Sequence, residues 1–268
     1  MSGQWAPYGR ALRGVMWREF LRFLHQRQRF LAAMVRPLVW LFLFAAGFRA
    51  ALGLSIIPPY QTYISYEVYI IPGLVAMIQL FNGMQNSLSM VYDREMGSMR
   101  VLLTSPLPRW FLLLSRLSGG VFVSILQAYA FLLIAYLFGI EMPLIGYLAV
   151  FPALVLTGLM LGSLGMLLSS TVRQLENFAG IMNFVIFPMF FASSALFPLW
   201  KIRESSVALY HICNWNPFTY GVELIRFALY GELNLIALAV VIASFLGFML
   251  AAVWTYDPAR GLRGGAMA

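Results

Sequence analysis

The 268 residues are 61% hydrophobic and only 10% charged, with a mean hydropathy of +0.80, against roughly 25% charge in soluble domains. That composition excludes a water-soluble globular domain, and the net charge of +8 is no nucleic-acid footprint, because the basic residues flank apolar runs and form no patch. Cys213 is the only cysteine, which excludes an intrachain disulfide.

The chain begins with a basic segment in which no short apolar region precedes a small-residue cleavage site, so no removable signal peptide is expected. From about Tyr8 onward, Leu12, Met16, Phe20, Phe23 and Phe30 recur at helical spacing, with Arg18, Arg22 and Arg29 on other faces. This predicts an amphipathic interface helix within residues 1–30, lying on the inner leaflet with Arg18, Glu19 and Arg22 on its polar side.

The first candidate span, about 31–52, carries Arg36 and Arg49. Both sit near its ends, where they are expected to snorkel to the two headgroup layers. Charge-free runs follow at Val68–Tyr92, Leu117–Ile140, Met142–Val172, Asn177–Trp200 and Leu233–Tyr256. Each is long enough to cross a bilayer. The predicted fold is therefore an all-α integral membrane protein with six transmembrane helices, at about 31–52, 68–92, 117–140, 144–170, 177–199 and 233–256, and a tail at 257–268. The segments expected on one side hold 14 of the 18 Lys and Arg residues, which places both termini in the cytoplasm.

Between the second and third runs, Tyr92, Met96, Met99 and Leu103 share a helical face, beside a polar face of Asp93, Gly97, Arg100 and Thr104. Pro106 and Pro108 stop this helix near Thr104. A short, half-apolar helix at the cytoplasmic surface is suited to docking a partner. On the outer side, Asn216 can cap and Pro217 can open a helix carrying Tyr220, Glu223 and Arg226 and ending at Gly231. It is too short to span and reads as a re-entrant or surface-lying helix.

Several function classes are excluded. No phosphate-binding Gly-rich loop occurs, and the sole lysine is Lys201, so ATP cannot bind by that route. Leu117-Ser118-Gly119-Gly120 begins like an ATPase signature but lacks the glutamine that should follow, and it reads as small-residue helix packing. All ten acids lie at run ends or in connections, which argues against a proton-coupled pump. His25 and His211 fall on opposite sides, leaving no catalytic constellation and no metal site. Gly158, Gly162, Gly165 and Ser169 are explained by close helix approach. Phe184, Phe187 and Phe191, with Ser193 and Ser194 just beyond, offer a route for an amphipathic or sugar-bearing molecule, or simply face lipid.

The run Asp93-Arg94-Glu95-Met96-Gly97-Ser98-Met99-Arg100-Val101-Leu102-Leu103-Thr104-Ser105-Pro106 closely resembles the first intracellular loop of ABC type-2 exporter permeases. Phe190 to Leu199, containing Leu196-Phe197-Pro198, and Asn216-Pro217-Phe218-Thr219-Tyr220-Gly221-Val222-Glu223-Leu224-Ile225-Arg226 match in the same order. Two positions depart from the usual pattern. Ser194 stands where the family commonly has glycine, and Glu223 where it often has aspartate.

The resemblance implies an N-terminal interface helix, six spans, a coupling helix and external re-entrant helices. It also implies a homodimer of permeases in a bacterial inner membrane, with two separate ABC ATPase subunits beneath that bind the ATP and Mg. Asp93, Arg94, Glu95, Met96, Gly97, Arg100 and Thr104 would couple the ATPase to the spans. The function expected is ATP-driven export of an amphipathic, lipid-like or glycan-like molecule or a drug, with no enzyme activity and no cofactor in this chain. The alternative is a passive channel or scaffold subunit, which would also lack a motor.

Overall fold

A computed structural model describes residues 8–9, 13–18, 21, 27–48, 58–60, 64–95, 108–172 and 174–255. Among these, regular structure is helical and no β-strand forms. The long elements are α1 (Arg27–Phe48), α2 (Tyr66–Glu95), α3 (Arg109–Leu137), α4 (Leu144–Thr171) and α5 (Leu175–Phe191), followed by short α6 (Leu199–Ser205), α7 (Val207–Trp215) and α8 (Pro217–Ala228), and finally α9 (Leu235–Thr255).

Four stretches are long and apolar enough to cross a membrane: Tyr66–Tyr92, Trp110–Leu137, Leu144–Thr171 and Leu235–Thr255. The sequence predicts six. The other two candidates are the 22-residue α1, which carries Arg36 within its apolar stretch Ala33–Leu43, and the 17 residues of α5. In the second, the helix ends at Phe191 although the apolar run continues to Trp200. Just past that end, the Ser193 hydroxyl donates to the Phe190 carbonyl at 2.6 Å and accepts from the Ala195 amide at 3.2 Å. Such local side-chain bonds compete with helix continuation, and residues 192–198 form a non-helical turn.

α2 lies at the centre. Its most apolar window is 78% buried, against 17% for α9, so α2 is surrounded by protein while α9 keeps an apolar outer face that includes Leu246, Leu250 and Trp254. α2 packs on α1, α3, α4, α5 and α8, and α4 on α2, α3, α8 and α9. The α2–α4 contact uses the predicted small-residue ridge. A Cβ on Gly83 would lie 3.0 Å from the Gly162 Cα, and one on Gly165 would lie 2.8 Å from the Gly83 carbonyl oxygen. Backbones this close gain dispersion contacts that lipid cannot supply. The Leu117-Ser118-Gly119-Gly120 stretch lies inside α3, and a Cβ on Gly120 would fall 2.3 Å from Asn86 Nδ2, which is helix packing.

α8 forms as its capping residues predict. The Asn216 side chain accepts from the Phe218 amide at 3.0 Å, Pro217 occupies the first turn, and Gly231 turns the chain back at φ +73°. Only glycine adopts that left-handed conformation without steric cost. The chain then enters α9, where Asn234 accepts from the Ala237 amide at 3.0 Å.

Candidate functional site

One end of the bundle carries a buried polar cluster, built where α8, the start of α2 and the 192–198 turn converge. Asn216 does two jobs there. Its Oδ1 caps α8, and its Nδ2 donates to the carbonyls of Met189 and Ala192, both at 2.7 Å. The same side chain thus starts α8 and satisfies carbonyls that the end of α5 leaves open. One turn into α8, the Thr219 hydroxyl donates to the carbonyl of buried Cys213 at 2.7 Å, tying α7 to α8.

Glu223 and Arg226, one turn apart on α8, form an ion pair, and Arg226 is only 3% exposed. A buried cation is costly unless paired and hydrogen-bonded. Three groups offset most of that cost, while Nε is left without a hydrogen-bond partner among the described residues. Glu223 accepts from Nη1, the Ser194 carbonyl accepts from Nη2 at 2.9 Å, and the Tyr69 ring lies beneath the guanidinium with its centroid 4.2 Å from Cζ. The Tyr69 hydroxyl donates to the same Ser194 carbonyl, and Tyr66 donates to the Leu196 carbonyl, each at 2.9 Å.

The turn is pressed onto α2 so tightly that a Cβ on Gly73 would fall 2.5 Å from the Ala195 oxygen. A cavity of about 170 Å³ opens beside the ion pair, with Tyr60, Tyr69, Trp200, Glu223 and Arg226 among its lining. Burial raises the Tyr60 phenol well above its ordinary value, so it stays neutral at physiological pH.

The structure separates the residues proposed for a substrate route. Phe184, Phe187 and Phe191 are exposed on α5, Phe184 at 79%, and the last two stack at 6.3 Å. Ser193 and Ser194 are buried within the turn and share no surface with them. Phe190 faces inward against Trp40 and Phe218. Phe187 meets Phe81 of α2 beside a larger cavity of about 500 Å³ between α1, α2 and α5.

Of the predicted coupling residues, Asp93, Arg94 and Glu95 form the last turn of α2. Met96, Gly97, Arg100 and Thr104 lie outside the described residues. In the predicted interface helix, residues 13–18 are helical with Arg18 exposed, and the Tyr8 ring meets Phe111 at 4.9 Å. Glu19 and Arg22 lie outside the described residues.

Sequence reasoning passed over the amides within the spans. Gln79 is buried on α2 and donates to the Leu154 carbonyl at 2.8 Å, Asn82 donates to Gln127 of α3, and Arg116 Nη2 donates to Ser89 at 2.9 Å. Residues 79, 82, 86 and 89 share one helical face, a periodicity visible in the sequence but hidden by scanning for charge alone. Tyr66 and Tyr69, one turn apart, gave a similar signal. Among the described residues no three His, Cys, Asp or Glu side chains gather to hold a metal.

Residues 10–230 match the family described as ABC-2 type transporter. The chain is 29% identical over 220 residues to the putative transport permease ycf38 of Cyanophora paradoxa, covering 78% of this chain and 71% of that protein. It is 29% identical over 170 residues to the probable multidrug ABC transporter permease YbhR of Escherichia coli (strain K12), covering 62% of this chain and 45% of that one. Nodulation protein J of Rhizobium leguminosarum bv. viciae is 31% identical over 100 residues, 35% of this chain and 38% of its own length.

Proposed function

The chain belongs to the ABC-2 type transporter family, and from that membership we propose that it is the permease subunit of an ATP-driven exporter whose motor resides in separate chains. Membership makes it a membrane-spanning subunit of an ABC transporter. In the proposed assembly, two copies pair in the cytoplasmic membrane of a bacterium over two ATPase subunits, which bind the ATP and Mg. α1 and α5 serve as the first and fifth of six spans, both termini are cytoplasmic, and α6 to α8 form the outer re-entrant layer.

The observation that carries this reading is the family match, which runs from the basic N-terminal segment through the whole of α8. The placement of acids supports it: among the described residues Glu67, Glu141, Glu176 and Glu232 stand at helix ends or in connections and Glu223, inside α8, is paired with Arg226, so no described carboxylate stands in the middle of a long span to couple a proton gradient. The cargo proposed is an amphipathic organic molecule passing along the phenylalanine face of α5. The likeness to a probable multidrug permease supports that class.

Coupling is assigned to residues 93–104, which would transmit ATPase closure to α2. The permease would supply two conformations, and the ATPase the differential free energy between them. The test is co-purification with the ATPase encoded beside it, followed by export in reconstituted vesicles. Glu95→Arg and Gly97→Pro should insert normally yet lose ATP-coupled export. Wild-type export by both variants would remove the coupling assignment, and stable purification without any ATPase would favour a channel or scaffold.

A further inference from the structure

The cavity between α1, α2 and α5 contains an unusual cation. The Arg36 guanidinium lies 3.6 Å from the centroid of the Phe81 ring. Phe81 is eleven residues inside Tyr92, the end of the apolar stretch of α2, which at a rise of 1.5 Å per residue is about 16 Å along the axis. The guanidinium therefore lies well inside the end of that stretch. It rests against the middle of the innermost helix.

Among the described residues no carboxylate lines this cavity and no acid pairs with Arg36. Arg36 stays exposed, and the face of one aromatic ring compensates its charge only in part. Gln85 lines the same cavity and makes no hydrogen bond to any described residue. Ser89, further along the wall, accepts from the Arg116 guanidinium at 2.9 Å. The remaining wall is mostly apolar, with Met77, Ile78, Leu88 and Met182 beside Asn82 and Tyr92, and the thioethers adapt to irregular chains. At about 500 Å³ the space fits a drug-sized or single-chain ligand.

We propose that this cavity binds an anionic amphipath, its acid group on Arg36 and Gln85 and its apolar chain along Met77, Ile78, Leu88 and Met182. The proposal deepens the exporter reading by naming the charge class of the cargo. The same chemistry could be presented by an exported molecule or by an anionic bilayer lipid.

The test uses the full-length protein in nanodiscs of neutral phosphatidylcholine, titrated with dodecyl phosphate, dodecylphosphocholine and dodecyltrimethylammonium while thermal unfolding is followed. Dodecyl phosphate should raise Tm saturably, with half-saturation about tenfold or more below the other two. Arg36→Gln should abolish that preference and Arg36→Lys should keep most of it. Gln85→Glu leaves Arg36 in place but adds a carboxylate to the cavity, and it should abolish the preference too, so the test survives if Arg36→Gln fails to fold. Equal stabilisation by all three amphiphiles, or an unchanged preference in Gln85→Glu, overturns the proposal.

These measurements need no ATPase, so failure of the exporter reading would leave them standing. Adding the ATPase then distinguishes the two sources. Stimulated ATP hydrolysis by dodecyl phosphate marks the site as a cargo site. Equal protection by phosphatidylglycerol without stimulation marks a resident lipid, and the anionic site stands in either case.

Discussion

Arg226 and Tyr69 donate to one and the same carbonyl, that of Ser194, each at 2.9 Å, while the guanidinium lies over the phenol ring. Residues from α2, α8 and the turn after α5 are thereby joined at a single acceptor. Glu223 completes the arrangement by pairing with Arg226.

Removing one member of this pair should be far worse than removing both. Arg226→Met leaves the partly buried Glu223 carboxylate without its cation, and a stranded buried charge costs about 3–5 kcal/mol. Glu223→Leu combined with Arg226→Met replaces the pair by apolar groups and should recover much of that loss. Thermal unfolding in nanodiscs gives the comparison directly. A double variant no more stable than Arg226→Met would mean that Glu223 does not depend on Arg226.

Asn216 separates two roles that alanine alone would confuse. Asn216→Ala removes the cap of α8, worth about 1 kcal/mol, and also the two donations to Met189 and Ala192. Asn216→Asp keeps an acceptor for the Phe218 amide but turns an anionic oxygen towards those two carbonyls. The aspartate variant should therefore be at least as unstable as the alanine variant, although aspartate is an excellent capping residue. If Asn216→Asp instead matches wild type in Tm, the link to the end of α5 contributes nothing.

How much of this was readable beforehand depends on whether the signal was local. α8 could be bounded from Asn216, Pro217 and Gly231, because capping and turn residues act on their own neighbours. The Glu223–Arg226 pair followed from helical spacing alone. The link of Arg226 to Tyr69 and Ser194 could not, since it depends on a turn 32 residues earlier in the chain folding over α2. The end of α5 was placed too late for a related reason. Hydropathy continues smoothly through Ser193 and Ser194, and only the backbone-directed bonds of Ser193 and the donations from Asn216 reveal that the helix has stopped. The contact of Arg36 with Phe81 was no more legible, since it depends on how α1 packs against α2.

Gly73 should tolerate no side chain. A Cβ there meets the Ala195 backbone, which cannot swing aside as a flexible side chain would. Gly73→Ala should cost about 1–3 kcal/mol through overpacking, despite alanine's better helix propensity. Gly180→Ala and Gly247→Ala are the controls, because nothing lies within 4 Å of a Cβ at either position. Both should be neutral or should stabilise by up to about 1 kcal/mol. Should Gly73→Ala unfold no earlier than these controls, the turn is not packed on α2 as described.

The amide contact between α2 and α3 should prove asymmetric. Asn82 Nδ2 donates both to Gln127 and to the Ile78 carbonyl, the latter at 2.9 Å, whereas Gln127 Oε1 has Asn82 as its hydrogen-bond donor. Gln127→Leu therefore leaves Asn82 with a partner, while Asn82→Leu leaves the buried Gln127 oxygen without one, and an unsatisfied buried acceptor costs about 1–3 kcal/mol. Asn82→Leu should be the more damaging substitution. Adding Gln127→Leu to it should restore stability, because replacing both partners by apolar groups is nearly neutral. The interaction energy from the double-mutant cycle should be about 0.6 kcal/mol, the average for hydrogen bonds between membrane helices, and no more than about 1.7 kcal/mol. Strict additivity of the two single substitutions would mean that the amides meet without coupling α2 to α3.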